Sequence, residues 1–99
     1  MKEYDRLTQW HDFDWQVRQH ILEYTLPQYG SHEGAEQVDG FTIEDCFVAM
    51  QRYINRRHAN VRGDVERLRD LVKIAHYAQF AYDKLKRQLA EEDVYDRKL

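Results

Sequence analysis

One cysteine, one proline and four glycines in 99 residues exclude several ways of building a small domain. Cys46 has no second thiol to pair with, so no internal disulfide framework is available, and cysteine usage fits a reducing compartment. No apolar stretch approaches the roughly 18 residues needed to cross a bilayer, which removes the membrane class. No cationic segment followed by an apolar one opens the chain, so a cytoplasmic protein is expected. Positive charge is not in excess: the net charge is −3. With no recognition-helix signature either, sequence-specific DNA binding is not expected. His11, His20, His32, His58 and His76 show no two-ligand helical spacing with a third partner, so a zinc site is not expected.

What the chain does contain is helical periodicity. Residues 60 to 90 hold its best-patterned segment, a start signal followed by about seven helical turns rich in Leu, Ile, Ala and aromatics. Val65, Leu68, Val72, Ala75 and Gln79 mark one edge of this helix, and Leu71, Ile74, Ala78, Ala81 and Leu85 widen its apolar face. Such a helix of about 27 residues is roughly 40 Å long, more than two short helices readily cover. Trp10, Phe13, Val17, Ile21 and Tyr24 recur at three- and four-residue spacing and predict a first helix ending before Pro27. Thr42 with Asp45 reads as a capping box with Asp in place of Glu, followed by the stripe Ile43, Phe47, Met50 and Ile54. Asp64 is placed to cap the long helix or to favour its positive end.

The expected fold is therefore all-α: one domain over 1–99, an up-down open bundle of three helices at about 8–26, 43–58 and 64–90. The loop 27–42 contains Gly30, Gly34 and Gly40 and is long for so small a domain; 91–99 forms a frayed tail. The long third helix invites completion of the bundle by a second copy.

Charge is unevenly placed. Glu33, Glu36, Asp39, Glu44 and Asp45 fall in 31–45 without a Lys or Arg, whereas Arg52, Arg56, Arg57 and Arg62 fall in 52–62 without an acid. Guanidinium groups bind phosphate through two parallel hydrogen bonds, and a helix N-terminus nearby adds amide donors for an anion. Tyr53, His58 and Asn60 can contact a base. The same arginines can instead complement the dipole at a helix C-terminus and pair with Asp64, Glu66 and Asp70. Glu66 and Asp70, one turn apart, are the candidate Mg²⁺ ligands, although a solvated face laced with Arg67 and Lys73 is the ordinary outcome of that pattern. Cys46 reads as a small core residue, His76 as a packed or edge histidine, and Trp15 as exposed at an interface.

Gln28-Tyr29-Gly30, the acidic glycine-containing loop, the helix end Gln51-Arg52-Tyr53-Ile54-Asn55-Arg56-Arg57 and the run Asp64 to Tyr77 together resemble small phage-encoded helical proteins related to the MazG-like all-alpha nucleotide pyrophosphohydrolases. The resemblance covers about residues 28 to 85 and implies an intertwined helical oligomer that handles nucleotides. It does not carry the catalytic pattern across. That family uses an E-x-x-E pair on one helix and a downstream E-x-x-D pair on another, whereas here Glu33 and Glu36 lie in the loop and Glu66 and Asp70 are four apart.

Three functions from different classes follow. The leading expectation is a phage-type accessory protein that binds a nucleotide or other phosphorylated ligand without catalysis through Arg52, Tyr53, Arg56, Arg57, His58 and Arg62, for instance to sequester a nucleotide signal. It needs no cofactor. A divergent pyrophosphohydrolase would need Mg²⁺ and the convergence of Glu33, Glu36, Glu66 and Asp70. A protein-interaction module that inhibits a host protein would use the acidic loop or an exposed aromatic patch. The expected partners are thus a second copy through the long helix, and a nucleotide-class small molecule or a host protein.

Overall fold

The computed structural model describes residues 3–25, 40–58 and 63–92, all helical apart from short connecting positions. Helix α1 spans Glu3–His20 and widens into a π-helical turn over Ile21–Thr25. Helix α2 spans Ile43–Asn55 and tightens into a 3-10 turn over Arg56–His58. Helix α3 runs from Asp64 to Glu91, 28 residues. This is the expected all-α arrangement of three helices with the third longest. Helix α1 begins before Thr8, where no side-chain cap signal marks its start. Pro27, the rest of the loop through Asp39, Asn60, Arg62 and the tail from Asp93 onward lie outside the described residues.

Helix α2 starts where its capping box sets it. The Thr42 hydroxyl accepts from the Asp45 amide at 3.0 Å and the Asp45 carboxylate accepts from the Thr42 amide at 2.9 Å. Two donors that no helical turn can satisfy are thereby paired. Those hydrogen bonds also hold the Asp45 carboxyl below its ordinary pKa. Thr42→Ala should cost about 1 kcal/mol, read as a lower urea midpoint with an unchanged slope. Helix α3 starts differently. Gly63, not Asp64, occupies the N-cap position, at φ 93°, where a side chain would be strained. Asp64 is the first helical residue and pairs with Arg67 at 3.1 Å.

Helices α2 and α3 lie antiparallel. Arg56 meets Asp70 and Tyr53 stacks on Tyr77, so steps toward the start of α2 run toward the end of α3. The short connection between the two helices favours this arrangement. Helix α1 reaches α3 through its C-terminal end, where His20 sits edge-on to His76 at 5.7 Å.

The inward faces take up only part of the expected apolar stripes, Ile43 and Met50 on α2 and Val72, Ile74, Ala75 and Ala81 on α3. On α2 the buried positions are Cys46 and Ala49, with Ile43, Met50 and Tyr53 half-buried beside them, while Phe47 and Ile54 are exposed. On α3 the buried positions are Asp70, His76 and Ala81, while Val65, Leu68, Leu71 and Leu85 are exposed. The physical reason is close approach. Small Cys46, Ala49 and Ala81 let two helices pack tightly, and the aromatic rings of Tyr53, Tyr77 and Phe80 fill the seam beyond them. Burial pushes the Cys46 thiol pKa up, which suits a packing residue better than a nucleophile. On α1 the expected stripe divides in the same way: Phe13, Val17 and Ile21 are half-buried, and Trp10 and Tyr24 are exposed, as is Trp15.

Candidate functional site

The end of α2 and the first turns of α3 bring cations around one phenol ring. The guanidinium carbons of Arg52 and Arg56 lie 5.5 and 4.9 Å from the centroid of Tyr53, and the Lys73 ammonium lies 5.4 Å from it. Helical spacing explains this set. Arg52 and Arg56 are one turn apart on α2, flanking Tyr53, and Lys73 approaches from the facing turn of α3. A ring face attracts each cation, yet three cations around one ring also repel one another. That repulsion is offset from α3 by Asp70.

Asp70 is the most informative residue of the site. It is only 4% exposed, and both of its oxygens accept from Arg56: Nε donates at 3.0 Å to one and Nη2 donates to the other. A carboxylate this deeply buried needs both charge compensation and hydrogen bonds, and the guanidinium fork supplies both at once. In return, the Asp70 hydrogen bond holds the Arg56 guanidinium more firmly protonated. The fork that the sequence offers to a phosphate is therefore engaged within the protein. Arg56 can still contribute charge to a bound anion, but it is chiefly the clamp between α2 and α3.

The remaining candidates separate by position. Arg52 and His58 are exposed. Arg57 turns back, its Nη1 donating to the Ile54 carbonyl at 2.9 Å and satisfying an acceptor at the end of α2. Arg62 lies outside the described residues, as do Glu33 and Glu36. Glu66 pairs with Arg69, and Asp70 faces Arg56, so the two carboxylates proposed for Mg²⁺ are each turned to an arginine. Among the described residues no group of three His, Cys, Asp or Glu side chains gathers in a way that could hold a metal ion.

Lys73 is the residue that sequence reasoning assigned to the solvated face. Its place could have been found only by pairing the two helices: once Arg56 is set against Asp70, Lys73 falls one turn further along α3, level with Tyr53. It is half-buried, and its charge reaches the His20 end of α1 as well. There it adds to desolvation, the larger cause, in lowering the pKa of His20. Beyond it runs an aromatic series. Tyr53 stacks on Tyr77 at 6.0 Å, Tyr77 meets Phe80 edge-on at 6.0 Å, and Phe80 lies 4.3 Å from the His76 ring.

Comparison of the chain with protein-family models, with curated proteins and with solved structures gives no match.

Proposed function

We propose that this protein is a non-catalytic binder of a nucleotide or related phosphorylated ligand, an accessory protein of the phage type its sequence resembles, and that the ligand meets the surface around Tyr53. The observation that carries this reading is the convergence of Arg52, Arg56 and Lys73 within 5.5 Å of one ring centroid. A phosphate would relieve the mutual repulsion of these cations, and the Tyr53 and Tyr77 rings offer apolar surface to a base or sugar. The absence of catalysis is inferred from the carboxylates. Glu66 and Asp70 are engaged with arginines, so the Mg²⁺-dependent hydrolase reading would require those pairs to open. Any pyrophosphate release from nucleoside triphosphates should accordingly be negligible.

The test is a thermal-shift and calorimetric panel of inorganic phosphate, nucleoside mono-, di- and triphosphates and cyclic dinucleotides. A binding member should raise the melting temperature in proportion to the logarithm of its concentration above its dissociation constant, and added salt should weaken the effect. Arg52→Ala and Lys73→Ala should lower affinity roughly tenfold each, a factor worth about 1.4 kcal/mol, with little change in the melting temperature of the unliganded protein. A flat panel would remove this reading. The protein-interaction reading would then lead, supported by the exposure of Trp10, Trp15 and Phe47.

A further inference from the structure

Asp70 engages one edge of the Arg56 guanidinium and leaves the other. The group carries its N–H donors in one plane, enough for two forks that share Nη2. Nε donates to one Asp70 oxygen at 3.0 Å and Nη2 donates to the other, which uses the side edge. The end edge, Nη1 with the outer N–H of Nη2, has no acceptor among the described residues. Because the Arg56 side chain is 35% exposed and that of Asp70 6%, the part of the guanidinium open to solvent is the part turned away from the carboxylate. A ligand ordinarily loses affinity to the ordering of a long side chain. Here two hydrogen bonds to a buried group have fixed the plane beforehand.

Charge decides what that edge can take. Arg52, Arg56 and Lys73 surround the Tyr53 ring, and Asp70 is the carboxylate paired into the group. Glu66 also acts on Arg56, but its own pair with Arg69 cancels its charge. Three cations less one carboxylate leave the group, among the described residues, with two positive charges. A phosphate monoester or terminal phosphate carries close to two negative charges at neutral pH and has three oxygens to share. A phosphodiester carries one charge and has only two unbridged oxygens. The monoester therefore neutralises the group and has an oxygen for each cation, whereas a diester leaves one charge uncompensated beside the half-buried Lys73.

We infer that the Tyr53 surface selects a terminal phosphate group over a phosphodiester, gripping it with the outer edge of Arg56 together with Arg52 and Lys73. The inference rests on the phosphate-binding reading above and narrows it. Nucleoside mono-, di- and triphosphates and other phosphate monoesters remain as the ligand class; cyclic nucleotides, cyclic dinucleotides and nucleic-acid backbones fall outside it. Arg56 thereby has two tasks on two edges: the inner one joins α2 to α3, and the outer one meets the ligand.

Calorimetric titration of the full chain with the four common nucleoside 5′-monophosphates and their 3′,5′-cyclic counterparts compares a monoester with a diester on the same base and sugar. At about pH 7.5, where the monoester is almost fully ionised, the 5′-monophosphate of any base that binds should exceed its cyclic counterpart roughly tenfold or more in affinity, since attraction to the group scales with ligand charge. Lys73→Gln lowers the net charge of the group to about one and leaves the Arg56–Asp70 pair in place, so the preference should shrink to about twofold or less. Arg52→Gln, at an exposed position, makes the same change of charge and decides the matter should Lys73→Gln fail to fold. Equal binding within a pair, tighter binding of the cyclic member, or a preference undiminished in Arg52→Gln would each overturn the inference and leave the phosphate reading in place. A panel in which no phosphate compound of either kind binds removes that reading, and this one with it.

Discussion

Replacing Arg56 with Met should lower the melting temperature by on the order of 10 °C, the largest loss expected from any single surface-facing substitution in the chain. The cost arises at Asp70. Its side chain is 6% exposed, against 35% for Arg56, so removal of the guanidinium takes two hydrogen bonds and an opposite charge from a carboxylate that water cannot easily reach. Asp70→Asn should be milder, because an amide oxygen can still accept one of the two Arg56 hydrogen bonds and no buried charge is left. Arg56→Met combined with Asp70→Leu should recover much of the loss, since replacing both partners by apolar groups removes the desolvation problem altogether. Arg56→Lys should fall between, keeping the charge but losing the fork. Equal melting temperatures for Arg56→Met and the wild type would show that the pair is a solvated surface contact, and the view of Arg56 as a clamp would fail.

The same pair shows where sequence reasoning reaches and where it stops. Local signals are legible. Thr42 and Asp45 mark the start of α2, since a capping box involves residues three apart. The long α3 follows from its periodicity, and the Arg52, Tyr53, Arg56 cluster follows from helical spacing. Pairings between helices are another matter. Pairing of the arginines with acids of α3 is among the readings the sequence offers, but that Arg56 is the one to meet Asp70, and that Lys73 joins the Tyr53 surface, depends on the register of α2 against α3, which no local pattern fixes.

The apolar stripes are a subtler case. Counting hydrophobic residues identifies a wide face on α3, of which only part is turned inward: Ala81 is buried and Val72, Ile74 and Ala75 are half-buried, while Leu68, Leu71, Ala78 and Leu85 are exposed. Small residues that permit close approach weigh little on a hydrophobicity count, yet they choose the contact. The π-helical turn over Ile21–Thr25 had no signal of its own. It accompanies the stacking of Tyr24 on His20, at 5.6 Å, at the point where α1 meets α3.

Lowering the pH from 7 to 4 should remove about 3 kcal/mol of stability through His76 alone. Burial, and secondarily the neighbouring His20, push its pKa from 6.5 down to about 4. The unfolded chain therefore takes up a proton near pH 6.5 that the folded chain refuses until about pH 4. Between those values the unfolded state binds more protons, so stability falls as the pH falls; above 6.5 the contribution is complete, and below 4 it changes no further. Among the described residues, His76 meets groups that oppose its charge or are indifferent to it: His20 from α1, itself shifted downward by desolvation and by Lys73, and the Phe80 ring on α3. His76→Phe keeps the ring contact with Phe80 and removes the proton site, so its stability should decline much less over the same interval, and at pH 4 it should be the more stable of the two proteins. Urea unfolding at pH 7, 6, 5 and 4, at one fixed protein concentration so that any self-association contributes equally, measures both slopes. Parallel curves for wild type and variant would mean that His76 takes up its proton without strain in the folded protein, and that α1 is held to α3 by contacts other than this pair of histidines.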